Sequence, residues 1–221
     1  MIYLQQLPKI PIETLSVTAI IETAICVGSG GSSGSLADQP IVRNAEGKLY
    51  IPASQLKGKI RHECEKLARG LGWNICYPPD PNLMCSHGED NDHCLICQLF
   101  GNPTRQSQIL CDDLICKTDL EWTEVIRPGV TINRRRRTSE DQKLFFIETS
   151  PMNAELEFIG EISFLQNCPE VGKILVMAAL KQITALGGSK STGLGWLRWK
   201  LGNIAFSDDV WNKLIPTEEK P

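Results

Sequence analysis

Cys76, Cys85, Cys94 and Cys97 are the residues whose types and spacing point most directly to chemistry. Cys94 and Cys97 form a C-x-x-C knuckle, which lets two thiolates reach one ion from a tight turn. Cys85, His87 and His93 lie just upstream, with Cys76 behind them. Tetrahedral Zn²⁺ takes four thiolate or imidazole ligands. Cys85, Cys94 and Cys97 are therefore expected ligands, and the fourth is Cys76 or His87, with Cys76 favoured for its thiolate. The surrounding stretch, residues 73–101, has almost no periodicity and carries Pro78, Pro79 and Pro81. Its apolar content is too low to order it, so the binding energy of a structural metal must do so. A redox C-x-x-C normally opens a helix in a thioredoxin-like unit, and the sequence shows no such unit here.

A second group of residues suits a phosphodiester polymer. A Gly/Ser-rich run from Gly28 to Gly34, including Gly30 and Gly31, offers flexible backbone N–H groups, and Asp38 follows it. Beyond Pro52, Ser54 reads as an N-cap, and Leu56, Ile60, Leu67 and Leu71 recur at helical spacing. Lys57 and Arg61 are four apart, so both cations share one helix face. An ordinary solvated face is the competing reading. Ser54-Gln-Leu-Lys57 also matches the S-x-x-K of penicillin-recognising enzymes, but the accompanying S-D-N is missing and Lys190-Ser-Thr-Gly193 is a poor K-[ST]-G. The loop Gly187-Gly-Ser-Lys-Ser-Thr-Gly-Leu-Gly195 is no P-loop, because it lacks the G-K-[ST] order and runs from a helix into a strand. Its N–H groups can still cradle phosphates, with Lys190 adding charge. A tight turn accounts for Gly187 and Gly188 but hardly for Gly193 and Gly195 as well. Arg134 to Arg137 are consecutive. Such a run repels itself in water and becomes favourable against a polyanion.

Positioning these groups requires a core. A chain of 221 residues, 42% apolar and 22% charged, holds one core of good size. The formal net charge of −3 argues mildly against a free-standing nucleic-acid binder, but the arginine cluster makes the local field count for more than the total. No apolar run is long enough to span a bilayer, so no membrane partner is expected. The first residues lack the pattern of a signal peptide, and nine cysteines with no secretion signal read as reduced thiols and metal ligands. The expected location is cytoplasmic.

Alternation predicts a strand over 15–25, and the basic helix after it stops at Gly70 and Gly72. A second strand is predicted over 109–117. Residues 121–148 are polar and basic with short apolar ends, which predicts a hairpin leaving the domain with an arginine-rich tip. Leu156, Phe158, Ile162 and Phe164 alternate with Glu157, Glu161 and Ser163 in the clearest strand. A helix follows over 171–186, halted by Gly187 and Gly188, then a last strand over 196–206. The tail is expected to dock through Trp211 and Leu214. Leaving out the cysteine loop and the hairpin, the order is β-α-β-β-α-β. That is an α+β, ferredoxin-like arrangement also used by RNA-recognition domains.

With these pieces in order, the chain resembles the RAMP superfamily, specifically the Csm/Cmr-type backbone subunits of type III CRISPR–Cas effector complexes. The resemblance rests on Asp38-Gln-Pro-Ile-Val-Arg43 after the glycine-rich run, on Tyr50-Ile-Pro-Ala-Ser-Gln-Leu-Lys-Gly-Lys-Ile-Arg61 and on Cys94-Leu-Ile-Cys-Gln-Leu-Phe-Gly101. Gly129-Val-Thr-Ile-Asn-Arg134 and the Gly187 to Gly195 loop complete it. It covers nearly the whole chain. It implies one RAMP domain over 1–221, with a modified ferredoxin-like (RRM-like) palm, a zinc-binding insertion over 73–101 and a thumb hairpin over 121–148. The implied activity is that of an antiviral endoribonuclease subunit, with guide RNA, target RNA and other subunits of the complex as partners. Lys57 and Arg61 fall on guide-backbone contacts, as do Gly30 and Gly31 in the first glycine run. Asn133, Arg134, Arg135 and Arg136 fall at the thumb. Gly187, Gly188, Ser189, Lys190, Thr192 and Gly193 fall on the glycine-rich RNA-binding loop. Asp38 falls on the aspartate that cleaves target RNA, with a divalent cation such as Mg²⁺ as cofactor. A non-catalytic filament or capping subunit is the alternative.

Overall fold

The structure is a computed structural model and describes residues 11–28, 37–78, 80, 83–85, 93–118, 124–152, 155–202, 211 and 214. Gly30, Gly31 and His87 lie outside the described residues.

Strand β1 (Pro11–Ile21) begins and ends four residues earlier than the alternation predicts. Its period-two pattern buries Leu15, Val17, Ala19 and Ile21. Beyond Ile21 the chain stays buried through Ala24 to Val27, where it turns to meet other loops instead of continuing a ladder. A short β2 (Tyr50–Ile51) leads through Pro52 into α1 (Ala53–Gly70). Proline is favoured at a helix start because its missing N–H costs nothing there. Ser54 is therefore not the N-cap. The helix opens one residue before it with no side-chain cap of its own, and Asp113 Oδ1 accepts the free Ala53 N–H at 2.6 Å instead. The buried face of α1 runs through Leu56, Ile60, Cys64 and Ala68, a spacing of four, while Leu67 and Leu71 only flank it.

The cysteine segment ends in α2 (Leu95–Phe100), and two short strands follow, β3 (Ile109–Cys111) and β4 (Leu114–Cys116). The single strand expected over 109–117 is broken at Asp112-Asp113, the pair that also supplies the α1 cap. β7 (Leu156–Leu165) is the centre of the sheet and pairs antiparallel with β1 over its length. Helix α3 (Glu170–Gln182) stops at Ile183, short of the expected Leu186. Gly187 and Gly188 therefore do not end it. Residues 183–186 are extended, with Ala185 bridging Trp196 ahead of β8 (Leu197–Leu201).

The sheet order is β2-β4-β7-β1-β8, with β3 also on β7, and each strand pair is antiparallel. Helices α1 and α3 cover one face, where Phe158 and Phe164 lie fully buried. Burial of each such side chain contributes about 1.5–3 kcal/mol. On the open face the central strands present Thr14, Ser16, Thr18 and Ile20 from β1, and Glu157, Ile159, Glu161 and Ser163 from β7. None is aromatic and two are acids, so these strands offer no stacking platform for bases. β5 (Val125–Asn133) and β6 (Thr138–Thr149) form a second, two-stranded sheet, as the hairpin pattern predicts, and Gln39 bridges Ile147 of β6 from outside it. Trp211 and Leu214 pack against the main core, as expected of the tail.

Candidate metal centre and nucleic-acid interface

Helix α1 hands the chain to the cysteine segment through Gly72, at φ +74°, and Trp73, whose N–H returns to Ala68 O at 2.9 Å. Cys76 therefore starts close beside the helix end. Cys94 caps α2, and the C-x-x-C spacing puts Cys97 one turn inside it. The knuckle thus does open a helix, the feature that usually marks a redox pair. What distinguishes it is the arrival of two further thiols. The sulfurs of Cys76, Cys85, Cys94 and Cys97 all lie within 4.8 Å of one another. Cys76 Sγ is 3.4 Å from Cys97 Sγ and 3.7 Å from Cys94 Sγ. A disulfide needs about 2.05 Å, whereas the edge of a tetrahedron with metal–sulfur bonds of about 2.3 Å is roughly 3.8 Å. The donor set and its spacing fit a closed four-thiolate site that includes Cys76; His87 lies outside the described residues.

Electrostatics point the same way. Burial, reinforced by the neighbouring sulfurs, pushes the Cys97 thiol up, and burial also raises Cys85. Burial acts on Cys94 too, but hydrogen bonds from Cys76, Cys97 and Cys85 outweigh it and bring Cys94 below the ordinary thiol value. Four thiolates cannot coexist here without a cation between them. His93 stands outside the set. It is buried, with Nε2 3.4 Å from Thr104 Oγ1.

Lys57 and Arg61 share one face of α1, but both reach inward along the chain. Lys57 Nζ donates to Ser107 Oγ at 2.8 Å and to Ile109 O at 3.2 Å. Arg61 Nε donates to Glu65 Oε1 at 3.0 Å, and Nη1 to Gly101 O at 3.3 Å. The two cations thus hold the exit of the cysteine segment onto α1. Burial brings Lys57 below the usual lysine range, and the Arg61 charge adds to this, against an opposing pull from Cys111.

Asp38 lies on an exposed strap laid along β6. Its N–H donates to Phe146 O at 3.0 Å, and its Oδ2 accepts the Phe146 N–H at 2.7 Å. Glu148 N donates to Gln39 O at 3.1 Å, and Glu148 Oε2 accepts the Ile41 N–H at 2.8 Å. Asp38 is an exposed residue, and among the described residues no hydrogen bond engages its Oδ1. Glu148 carries no local signal in the sequence, because its partner is more than a hundred residues away.

The second glycine loop joins the same neighbourhood through residues 24–26. Gly188 N donates to Cys26 O at 2.7 Å and Gly195 N to Ala24 O at 2.8 Å, while Ser150 N, at the foot of the hairpin, donates to Ile25 O at 2.9 Å. The turn itself accounts for more of the glycines than expected. Gly187, Gly193 and Gly195 all have positive φ, whereas Gly188 does not. Ser189 is left-handed too, at φ +52°, and Lys190–Thr192 forms one 3-10 turn with Lys190 exposed. At the hairpin tip Asn133 shapes the turn. Its Oδ1 accepts the Arg135 and Arg136 N–H groups, both at 3.0 Å, and its Nδ2 donates to Glu140 Oε1 at 2.7 Å. Arg134, Arg135, Arg136 and Arg137 are exposed, and among the described residues none has an acidic partner.

The structure therefore brings Asp38, the hairpin foot and the second glycine loop onto one continuous backbone network. Lys57 and Arg61 belong to another, with the cysteine segment. The chain is similar to the CRISPR system Cms endoribonuclease Csm3 of Methanocaldococcus jannaschii, 26% identical over 199 residues that span 82% of this chain and 76% of that protein. The family model of the RAMP superfamily matches residues 18–198, which run from β1 through both networks to β8. With that span matched, the chain belongs to the RAMP superfamily.

Proposed function

We propose that the chain is a guide-RNA-binding backbone subunit of a type III CRISPR effector complex and that Asp38 cleaves the complementary target RNA. The similar protein's name, a CRISPR endoribonuclease, supports the class of activity. The sheet order supports reading β1-α1-β3/β4-β7-α3-β8 as a ferredoxin-like palm, with residues 73–101 as a zinc-binding insertion and 121–148 as a thumb. One observation carries the catalytic reading: the carboxylate of the exposed Asp38 is fixed through Oδ2 to the arginine-bearing hairpin, which leaves Oδ1 without an internal bond among the described residues.

In this reading Oδ1 accepts the proton of a target 2′-OH as that oxygen bonds to the adjacent phosphorus. The P–O5′ bond breaks and water protonates the departing O5′, leaving a 2′,3′-cyclic phosphate and a 5′-hydroxyl. In place of that proton transfer, the same carboxylate would hold a divalent cation such as Mg²⁺ that neutralises phosphate charge, and one carboxylate with water and phosphate oxygens suits that ion. The zinc is structural, in Cys76, Cys85, Cys94 and Cys97. Guide contacts go to phosphate and 2′-OH, since a guide-reading subunit must accept any sequence. Lys190, Ser189, Thr192 and the glycines Gly187, Gly188 and Gly193 supply them at one loop, Gly30 and Gly31 at the other. Arg134, Arg135 and Arg136 act at the thumb, on the turn that Asn133 shapes. Lys57 and Arg61 contribute the N–H donors that their internal bonds leave over. No helix among the described residues is long and apolar enough to cross a membrane.

The test is cleavage of complementary RNA by the assembled complex carrying Asp38→Asn, which keeps the acceptor for Phe146 N–H but loses the charge. Cleavage at the sites facing this subunit should disappear while guide RNA is retained. A second reading has its own support, because the Asp38–Phe146 bond is a structural role in itself. Full cleavage by the Asn variant would establish that reading, a filament subunit that binds guide RNA without chemistry.

A further inference from the structure

A cavity of about 410 Å³ opens beside the cysteine cluster, which forms one of its walls. Its other lining includes Asn74, Tyr77, Leu83, Met84 and His93. Two features there lack a structural explanation. Tyr77 and Leu83 are each 56% exposed, although they sit on a segment short of apolar residues. His93 is only 6% exposed, and its Nδ1 has no hydrogen-bond partner. That nitrogen is itself closed off from solvent, so His93 serves the cavity as part of its wall and not through Nδ1.

We propose that this cavity is a subsite for one unpaired nucleobase. The inference deepens the reading of the chain as an RNA binder and rests on it. Tyr77 supplies a ring for stacking, and the Arg69 guanidinium, 4.8 Å from its centroid, fixes that ring against the last turn of α1. Leu83 and Met84 give apolar cover. The Asn74 amide in the lining both donates and accepts, which matches the mixed donor and acceptor edge of a base. Neither a carboxylate nor an exposed cation lines the cavity among these residues, so it is built for a neutral planar ring and not for a phosphate. The volume falls in the range of small-ligand pockets and holds a base with its sugar. Because the sheet's central strands carry no aromatic platform, base contact would be delegated to this knuckle.

The experiment adds AMP, GMP, CMP or UMP to the intact, metal-loaded chain and follows the His93 imidazole nitrogens by NMR. Nucleotides should shift the His93 signals, while ribose 5-phosphate should not. Tyr77→Phe should bind as the parent does, and Tyr77→Ala should bind roughly ten-fold or more weakly with its metal content unchanged. Should Tyr77→Ala lose the metal, Leu83→Ala takes its place under the same criterion. No His93 response to millimolar nucleotide, an equal response to ribose 5-phosphate, or unchanged affinity in the metal-retaining variant would overturn the proposal. In the assembled complex, burial of Tyr77 by a partner subunit in place of RNA would overturn it too. None of these readouts depends on target cleavage or on retained guide RNA, so this subsite and the Asp38 reading fail separately.

Discussion

Gly193 and Gly195 stand two residues apart in one loop, both at positive φ, yet a methyl group meets different surroundings at each. At Gly195 a Cβ would fall 1.8 Å from Leu186 O, on backbone that cannot yield without breaking the Leu186 N to Gly195 O bond of 2.9 Å. At Gly193 it would point into open space. Gly195→Ala should therefore cost about 3 kcal/mol or more, and Gly193→Ala about 1 kcal/mol from conformational strain alone. Urea unfolding midpoints measure both, and equal losses would show the loop to be uniformly tight. At this scale the sequence displayed residue types well and their partners poorly. Cys85, Cys94 and Cys97 were legible from spacing as a cluster of thiols, because a C-x-x-C with a further thiol just upstream admits few geometries. The choice between Cys76 and His87 was not, since it depends on how the segment turns back. Lys57 and Arg61 were correctly placed on one face, but their bonds to Ser107, Ile109 and Gly101 span forty residues or more. No local pattern encodes that.

Among the elements, those with strong periodicity came through the sequence and those ended by tertiary contacts did not. β7 follows its alternation, and β5 and β6 fall within the polar, basic stretch between short apolar ends. Helix α3 stops early because residues 183–186 are recruited to bridge Trp196, an interaction absent from helical propensity. The 109–117 strand breaks because Asp113 is used to cap α1. The cysteine segment is the element with least apolar support of its own, and its order should depend on its metal. Elemental analysis should find about one zinc per folded chain, lost in Cys94→Ser. Chelation should then strip amide-exchange protection from α2 while β1 and β7 keep theirs, because those strands rest on the main core. Simultaneous loss of protection throughout the chain, or no change at all, would contradict a local structural site.

At the scale of the molecule, charge is separated in a way the net value of −3 conceals. Acids lie on the open face of the sheet at Glu157 and Glu161, and four arginines lie at the hairpin tip. RNA should accordingly engage the tip by counterion release. Replacing Arg134, Arg135 and Arg136 with Gln should weaken binding of all guide sequences alike. The slope of log Kd against log salt should fall by about 0.7 for each phosphate contact removed from single-stranded RNA. A loss confined to particular sequences would mean that the tip reads bases. The arginine run itself was visible in the sequence; its separation from the acidic sheet face depended on the fold.

The strap at residues 38–41 has a mechanical consequence for that tip. A hairpin anchored only at its foot, the Val125–Thr149 pair, would be a free beam of about 27 Å to the Asn133–Thr138 pair. Clamping at Phe146, opposite Pro128, shortens the free length to about 17 Å. The deflection of a cantilever under a given load grows as the cube of its free length, so the clamp stiffens the tip about four-fold at the strand rise used here. Asp38, at the clamp, lies where the beam moves least. The same bonds that hold a carboxylate still thus aim the arginines.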